Sequence, residues 1–181
     1  VYSIVARDFQ YRDLSNMLLF FSNHDTPRLG DIFGQSYDKM KLSFAMLATM
    51  RGIPQMFYGD EMMFCIDNQN RDDGRLRMDF PGGWNGDAMD LFTQPGREAA
   101  ASDPEWAGAA DLHAYVKALL NWRKGKEVIH SGKTMHFIPQ DNTYAYFRYN
   151  DTDLVFVFIN NSDKEVKLTW SRFAEINAGL A

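Results

Sequence analysis

The chain has 181 residues, 45% hydrophobic and 14% aromatic, an ordinary globular composition with enough apolar side chain for a sizeable core. Nineteen Lys and Arg stand against 24 Asp and Glu, a formal charge of −5 with no basic block to neutralise a row of phosphates, which argues against nucleic acid as a partner. The single cysteine, Cys65, allows no internal disulfide, and no apolar run approaches the roughly 20 residues of a membrane span.

Val1 opens the chain without a basic segment followed by an apolar one, and Ala181 closes it soon after what reads as the fourth of a set of strands. Both ends read as cut, so the expectation is a piece of a longer protein. Residues 17–21 are five apolar residues in succession, as in a parallel strand covered on both faces. The run stops abruptly at Asn23, His24 and Asp25. Tyr37, Met40, Phe44 and Leu47 then recur at helical spacing, with Ser36 as the expected N-cap and the helix reaching about Met50. Gly52 breaks it, and residues 53–59 read as a second strand that ends on Asp60 and Glu61. Strand, helix, strand in this order predicts a parallel right-handed unit.

From residue 62 to about 110 the sequence has little periodicity and much Gly, Asp, Asn and Pro, too much chain for an idle loop. Trp84 and Trp106 predict that the loop is ordered. Asp111 is the expected N-cap of a helix carrying Leu112, Tyr115, Val116, Leu119 and Leu120, with Gly125 as its stop. After Gly132 the period changes to two. TMHFIP, TYAYFRY, LVFVFIN and EVKLTW, separated by turn clusters, predict an antiparallel sheet and a second, all-β domain from about residue 131.

In parallel α/β folds the carboxyl ends of strands face the ligand. Asn23, His24 and Asp25, and then Asp60 and Glu61, are therefore expected to point into one pocket. The plainer alternative is that His24 and Asp25 cap the turn and satisfy each other. Trp84, beside two glycines, offers a flat face for a sugar, or else serves its own loop as a small core. The acidic stretch over residues 67–73 invites a calcium reading, but Gly74 does not fit the spacing of an EF-hand loop, and a solvated loop is the simpler expectation.

FSNHDTPR, residues 21–28, resembles the Asn-His-Asp signature that ends the seventh barrel strand in the α-amylase family of glycoside hydrolases. GIPQMFYGDE, residues 52–61, is similar to the same family's Gly-x-Pro-x-x-x-Tyr-Gly-x-Glu stretch at the eighth strand. VARDFQYRDLSN and DFPGGW are similar to neopullulanase and cyclomaltodextrinase members, especially starch-utilisation enzymes of gut bacteria. The resemblance implies an α/β fold: the C-terminal part of a (β/α)8 TIM barrel, strands seven and eight with their helices, over residues 1–130, then the start of an antiparallel β-sandwich over residues 131–181.

It also implies the chemistry. Asp25 would be the third carboxylate of a retaining glycosidase, bonding two ring hydroxyls of the sugar at the cleaved linkage in an oxocarbenium-like transition state. His24 would bind the same sugar, Asn23 would orient it from behind, and Arg28 and Trp84 complete the expected substrate contacts. Tyr58, Gly59 and Glu61 would anchor the end of the eighth strand, Glu61 by hydrogen bonds to its loop. The family's nucleophile motif belongs to strand four and its acid, a Glu, to strand five. Arg77-Met78-Asp79 looks like a fragment of the former, but position 75 is Arg where Gly is required and position 83 is Gly where His is required. It reads as a decoy. The implied partner is an α-glucan oligosaccharide or polysaccharide. No cofactor or metal site is implied, calcium stays open for the longer protein, and a periplasmic or secreted bacterial setting follows from the resemblance. Without the two upstream carboxylates the piece alone is expected to be inactive. A transglycosylase or isomerase of the same family and a non-catalytic sugar-binding relative are the alternatives.

Overall fold

The structure, a computed structural model, describes residues 1–66, 72–80, 82, 84, 87, 89–104 and 106–179, with side chains described as far as residue 176. The chain divides into two compact units, one of residues 1–19, 48–53 and 122–181 and the other of residues 20–47 and 54–121.

The first unit opens with a helical turn, α1 (Tyr2–Val5), and holds the first strand, β1 (Leu18–Leu19). β1 pairs with β2 (Ile53–Pro54), beside a bond from the Ile53 amide to the Met17 carbonyl at 2.8 Å. Both strands are shorter than the apolar runs predict. Pro54 has no N–H to continue the ladder, so pairing stops where the apolar stretch still runs on. The same unit contains an antiparallel sheet of β3 (Lys133–His136), β4 (Thr143–Tyr149) and β5 (Leu154–Asn160), in that order. Asp141 and Asn142 both have positive φ, 49° and 58°, the backbone of a two-residue hairpin turn whose twist matches its strands. On one face of the sheet Phe147 stacks on Phe156 at 4.6 Å, and Ala145 and Phe147 pack with Phe173 and Ile176. Phe173 ends a short 3₁₀ turn, and Ile176 belongs to α8 (Ala174–Gly179).

The fourth expected strand does not form. Residues 165–169 lie in no strand: before them the Asn160 side chain donates from Nδ2 to the Lys164 carbonyl at 2.8 Å, and after them the chain passes into the 3₁₀ turn. Alternation marks a sided segment but not a partner for it.

The second unit is helical. It contains α2 (Leu29–Phe33), most of α3 (Tyr37–Thr49), α4 (Asp73–Leu76), α5 (Gln94–Ser102) and most of α6 (Ala107–Lys124); α7 (Glu127–His130) follows in the first unit. α3 matches its predicted span to within a residue, and the Ser36 carbonyl accepts its first bond, from Met40 at 3.0 Å. α6 stops before Gly125 as expected but starts at Ala107, so Asp111 lies inside it rather than at its N-cap. The Asp103 carbonyl opens that helix by accepting from Ala107 at 2.8 Å.

Nor is the stretch from 62 to 110 irregular throughout. Asp72 caps α4 by accepting from the Gly74 amide, and Thr93 caps α5 by accepting from Gly96, with Pro95 in the first turn. Met62, Phe64, Met89, Leu91, Ala100 and Ala109 form one buried cluster of this unit, with Phe80 and Trp106 packed against it, and Phe57, Ile66 and Leu76 form another. Among the described residues no helix is long and apolar enough to cross a membrane.

Candidate active site

The polar cluster that follows β1 is built by its own backbone. The Asn23 side chain accepts from the Asp25 amide at 2.8 Å, and the Asn23 amide donates to the Thr26 hydroxyl at 2.8 Å. An Asx turn closed this way tips the next two side chains outward. His24 and Asp25 accordingly have 62% and 60% of their side chains exposed, with His24 Nε2 3.3 Å from Asp25 Oδ2.

Behind the turn the chain is sealed. Ser22 is buried and donates a short hydrogen bond to the buried Asp60 carboxylate. Arg28 is 0% exposed. Its Nε and Nη2 both donate to the Leu76 carbonyl, at 3.0 and 2.5 Å, and Nη1 donates to the Tyr58 carbonyl at 2.7 Å and lies 3.4 Å from Asp60 Oδ1. The guanidinium also sits over the Phe57 ring at 4.3 Å. This placement corrects the expectation that Arg28 touches substrate. No part of it reaches solvent, and its donors are spent on the protein's own carbonyls and carboxylate.

The stretch after β2 is shaped by Gly59, whose φ is +88° and whose position admits no Cβ, since one would lie 2.3 Å from the Phe64 ring. Glu61 turns back to accept from the Gly59 amide at 2.8 Å, and burial raises its carboxyl above the usual range. The Tyr58 hydroxyl donates to the Met78 carbonyl at 2.7 Å. Burial outweighs Ser22 and Arg28 at Asp60 and pushes its carboxyl from 3.8 up to about 6. The folded chain therefore holds this proton more tightly than the unfolded one, and Asp60's contribution to stability is fullest below 3.8 and lost as pH rises through about 6. Asp60→Asn is expected to flatten the fall of the unfolding midpoint between about pH 4 and pH 7. Thermal melts across that range check it, and an unchanged slope would refute it.

Arg77 reaches this turn, and Trp84 stands on a loop of the same unit. Arg77, which the sequence presents as part of a misplaced motif, puts Nη2 3.2 Å from Asp25 Oδ1 and 3.7 Å from Asp73 Oδ2. Its approach to Asp25 across 52 positions has no local signal. Trp84 is 78% exposed, its loop tied by Asp87 Oδ2, which accepts from the Gly82 and Trp84 amides at 3.0 and 2.9 Å. It is thus no small core of its own loop, and its ring face is open. A cavity of about 540 Å³ in the same unit, lined in part by Gln35, Cys65, Met78 and Asp79, includes neither His24 nor Asp25. Most of the acidic stretch read for calcium, residues 67–71, lies outside the described residues. Among the described residues no three His, Cys, Asp or Glu side chains gather as metal ligands. Chemically, the exposed turn offers carboxylate acceptors, an imidazole and a guanidinium side by side, suited to neighbouring hydroxyl groups.

Residues 2–144 match the family described as the alpha amylase catalytic domain, and residues 134–180 match the cyclo-malto-dextrinase C-terminal domain. A 4-alpha-glucanotransferase of Thermotoga maritima is 31% identical over 157 residues, covering 81% of this chain and 35% of the relative. A maltogenic alpha-amylase of Bacillus acidopullulyticus is 27% identical over 164 residues, covering 87% of this chain and 24% of the relative. Among solved structures, an alpha-amylase from H. orenii superposes with a TM-score of 0.64 at 21% identity, over 88% of this chain and 32% of that one. The chain thus spans about a third or less of the length of these relatives.

Proposed function

The chain belongs to the family of the alpha-amylase catalytic domain, and from that premise we propose that it is the C-terminal portion of a retaining, neopullulanase-like enzyme that cuts α-1,4 linkages in starch, pullulan or cyclodextrins. In this reading β1 and β2 are the seventh and eighth strands of a (β/α)8 barrel occupying residues 1–130. The sheet of β3 to β5 begins a C-terminal β domain from residue 131, which accords with the cyclo-malto-dextrinase match.

The observation that carries the reading is the exposed His24–Asp25 pair on its Asx turn. A carboxylate presented this way accepts bonds from two ring hydroxyls, and such bonds strengthen as the ring distorts toward an oxocarbenium ion. Asp25 is the third carboxylate, His24 binds the same sugar, Asn23 holds the turn, and Trp84 supplies a stacking face. Glu61, turned back on Gly59, anchors the loop. Retaining hydrolysis also needs a nucleophile and an acid roughly 5 to 5.5 Å apart. Their motifs, at strands four and five, are not among these residues.

The longer enzyme is expected to release panose or maltose from pullulan or β-cyclodextrin, whereas residues 1–181 alone release nothing measurable. Chromatography of the products checks both, and turnover by the isolated piece would sink the assignment of roles. The 31% identical relative named as a 4-alpha-glucanotransferase favours a second reading, a transglycosylase on the same site. Oligosaccharides longer than the substrate, formed from maltoheptaose, would select it.

A further inference from the structure

Arg77 is flanked by two carbonyls that the protein holds from below. On one side the Leu76 carbonyl accepts from Arg28 Nε and Nη2 at 3.0 and 2.5 Å. On the other the Met78 carbonyl accepts from the Tyr58 hydroxyl at 2.7 Å. The two holders are themselves joined, since Arg28 Nη1 donates to the Tyr58 carbonyl at 2.7 Å. The backbone of residues 76–78 thus hangs from a fully buried guanidinium and a tyrosine, and the side chain between the two fixed points reaches Asp25 Oδ1 at 3.2 Å. His24 lies against the other oxygen, Oδ2, at 3.3 Å. A carboxylate engaged at each oxygen has its plane set as well as its position.

The energetics separate positioning from stability. Arg77 and Asp25 keep 48% and 60% of their side chains exposed, and a pair that open adds little to folding. On the Leu76 side the support is a fully buried guanidinium, which is more than a surface pair requires for its own sake, while on the Met78 side the Tyr58 bond is exposed. Arg77 also has a second seat, because Asp73 Oδ2 lies 3.7 Å from the same Nη2.

The geometry points to Arg77 as a positioning residue that orients the Asp25 carboxylate in the free site and yields Oδ1 to a sugar hydroxyl, passing to Asp73, when an α-glucan binds. The inference rests on the function proposed above for Asp25. It also gives Arg28 and Tyr58 a task, which is to deliver Arg77 rather than to touch substrate. Misplacing a reacting group by an ångström costs far more rate than stability.

The test is steady-state kinetics of the longer enzyme on maltoheptaose, with acarbose inhibition and thermal melts of each variant. Arg77→Ala is expected to lower kcat/KM by ~10–100-fold, mainly through kcat, and to weaken acarbose in parallel, with the melting midpoint held within about 2 °C. Arg77→Lys keeps a cation in reach and is expected to recover kcat to within ~3-fold of wild type. An Arg77→Ala enzyme within ~2-fold of wild type in kcat/KM, or one whose loss merely follows a fallen midpoint, overturns the inference. A wild-type enzyme without turnover overturns the proposed function instead, so the two failures are distinct.

Discussion

Asp25→Asn is expected to lower kcat of the longer enzyme by at least ~100-fold while KM for maltoheptaose changes far less. The substitution is nearly isosteric, and the Asn23–Asp25 backbone bond that holds the turn does not involve the Asp25 side chain. What it removes is the charge. An amide keeps one acceptor oxygen and turns the other into a donor facing His24 and the sugar hydroxyl alike. On the proposed roles, bonds that strengthen in the transition state are then lost while the ground-state contacts proposed for His24 and Trp84 persist, and the loss falls on kcat. Steady-state kinetics checks this, and a kcat within a few-fold of wild type would remove Asp25 from the chemistry.

The second large effect lies beneath the surface. Arg28→Met is expected to destabilise the protein by about 3–5 kcal/mol, because it leaves Asp60 buried without its cation and withdraws the donors from the Leu76 and Tyr58 carbonyls. The stem and the apolar contact with Phe57 are largely kept, so lost packing is the smaller part. Asp60→Leu added to Arg28→Met is expected to recover part of the loss, since the uncompensated charge leaves with it. Urea unfolding followed by tryptophan fluorescence measures both. A single variant as stable as wild type would show that the buried pair is dispensable.

What the sequence made legible was what depends on near neighbours. The Asn-His-Asp turn is closed by bonds spanning two and three residues, α3 follows its apolar spacing, and the β3–β4 hairpin follows from an Asp-Asn pair that tolerates positive φ. α5 could have been found the same way, from Thr93 before Pro95, but the many glycines around it masked the cap. Pairing partners were not legible. Residues 17–21 and 165–169 have strand-like patterns, yet the first pairs at only two residues and the second at none, because a strand is defined by a neighbour the pattern does not specify. The contacts around Asp25 divide similarly. Asn23 and His24 adjoin it in sequence, whereas Arg77 arrives from 52 positions away, and a charged residue in a polar loop does not announce its partner. Arg28, three positions after Asp25, was expected at the substrate because the resemblance put it in the site's motif, and a motif match does not say which way a side chain turns. Its side chain instead turns into the core, where three carbonyl bonds and a carboxylate outweigh the cost of burying it.

The most direct test of the account is a crystal structure of the longer enzyme soaked with acarbose. Both Asp25 carboxylate oxygens are predicted to lie within about 2.5–3.0 Å of two hydroxyls on one ring, with His24 beside the same ring and Arg77 withdrawn from Oδ1 toward Asp73. A ring bound elsewhere, with Asp25 still paired to Arg77 and beyond hydrogen-bond reach of any hydroxyl, would contradict it.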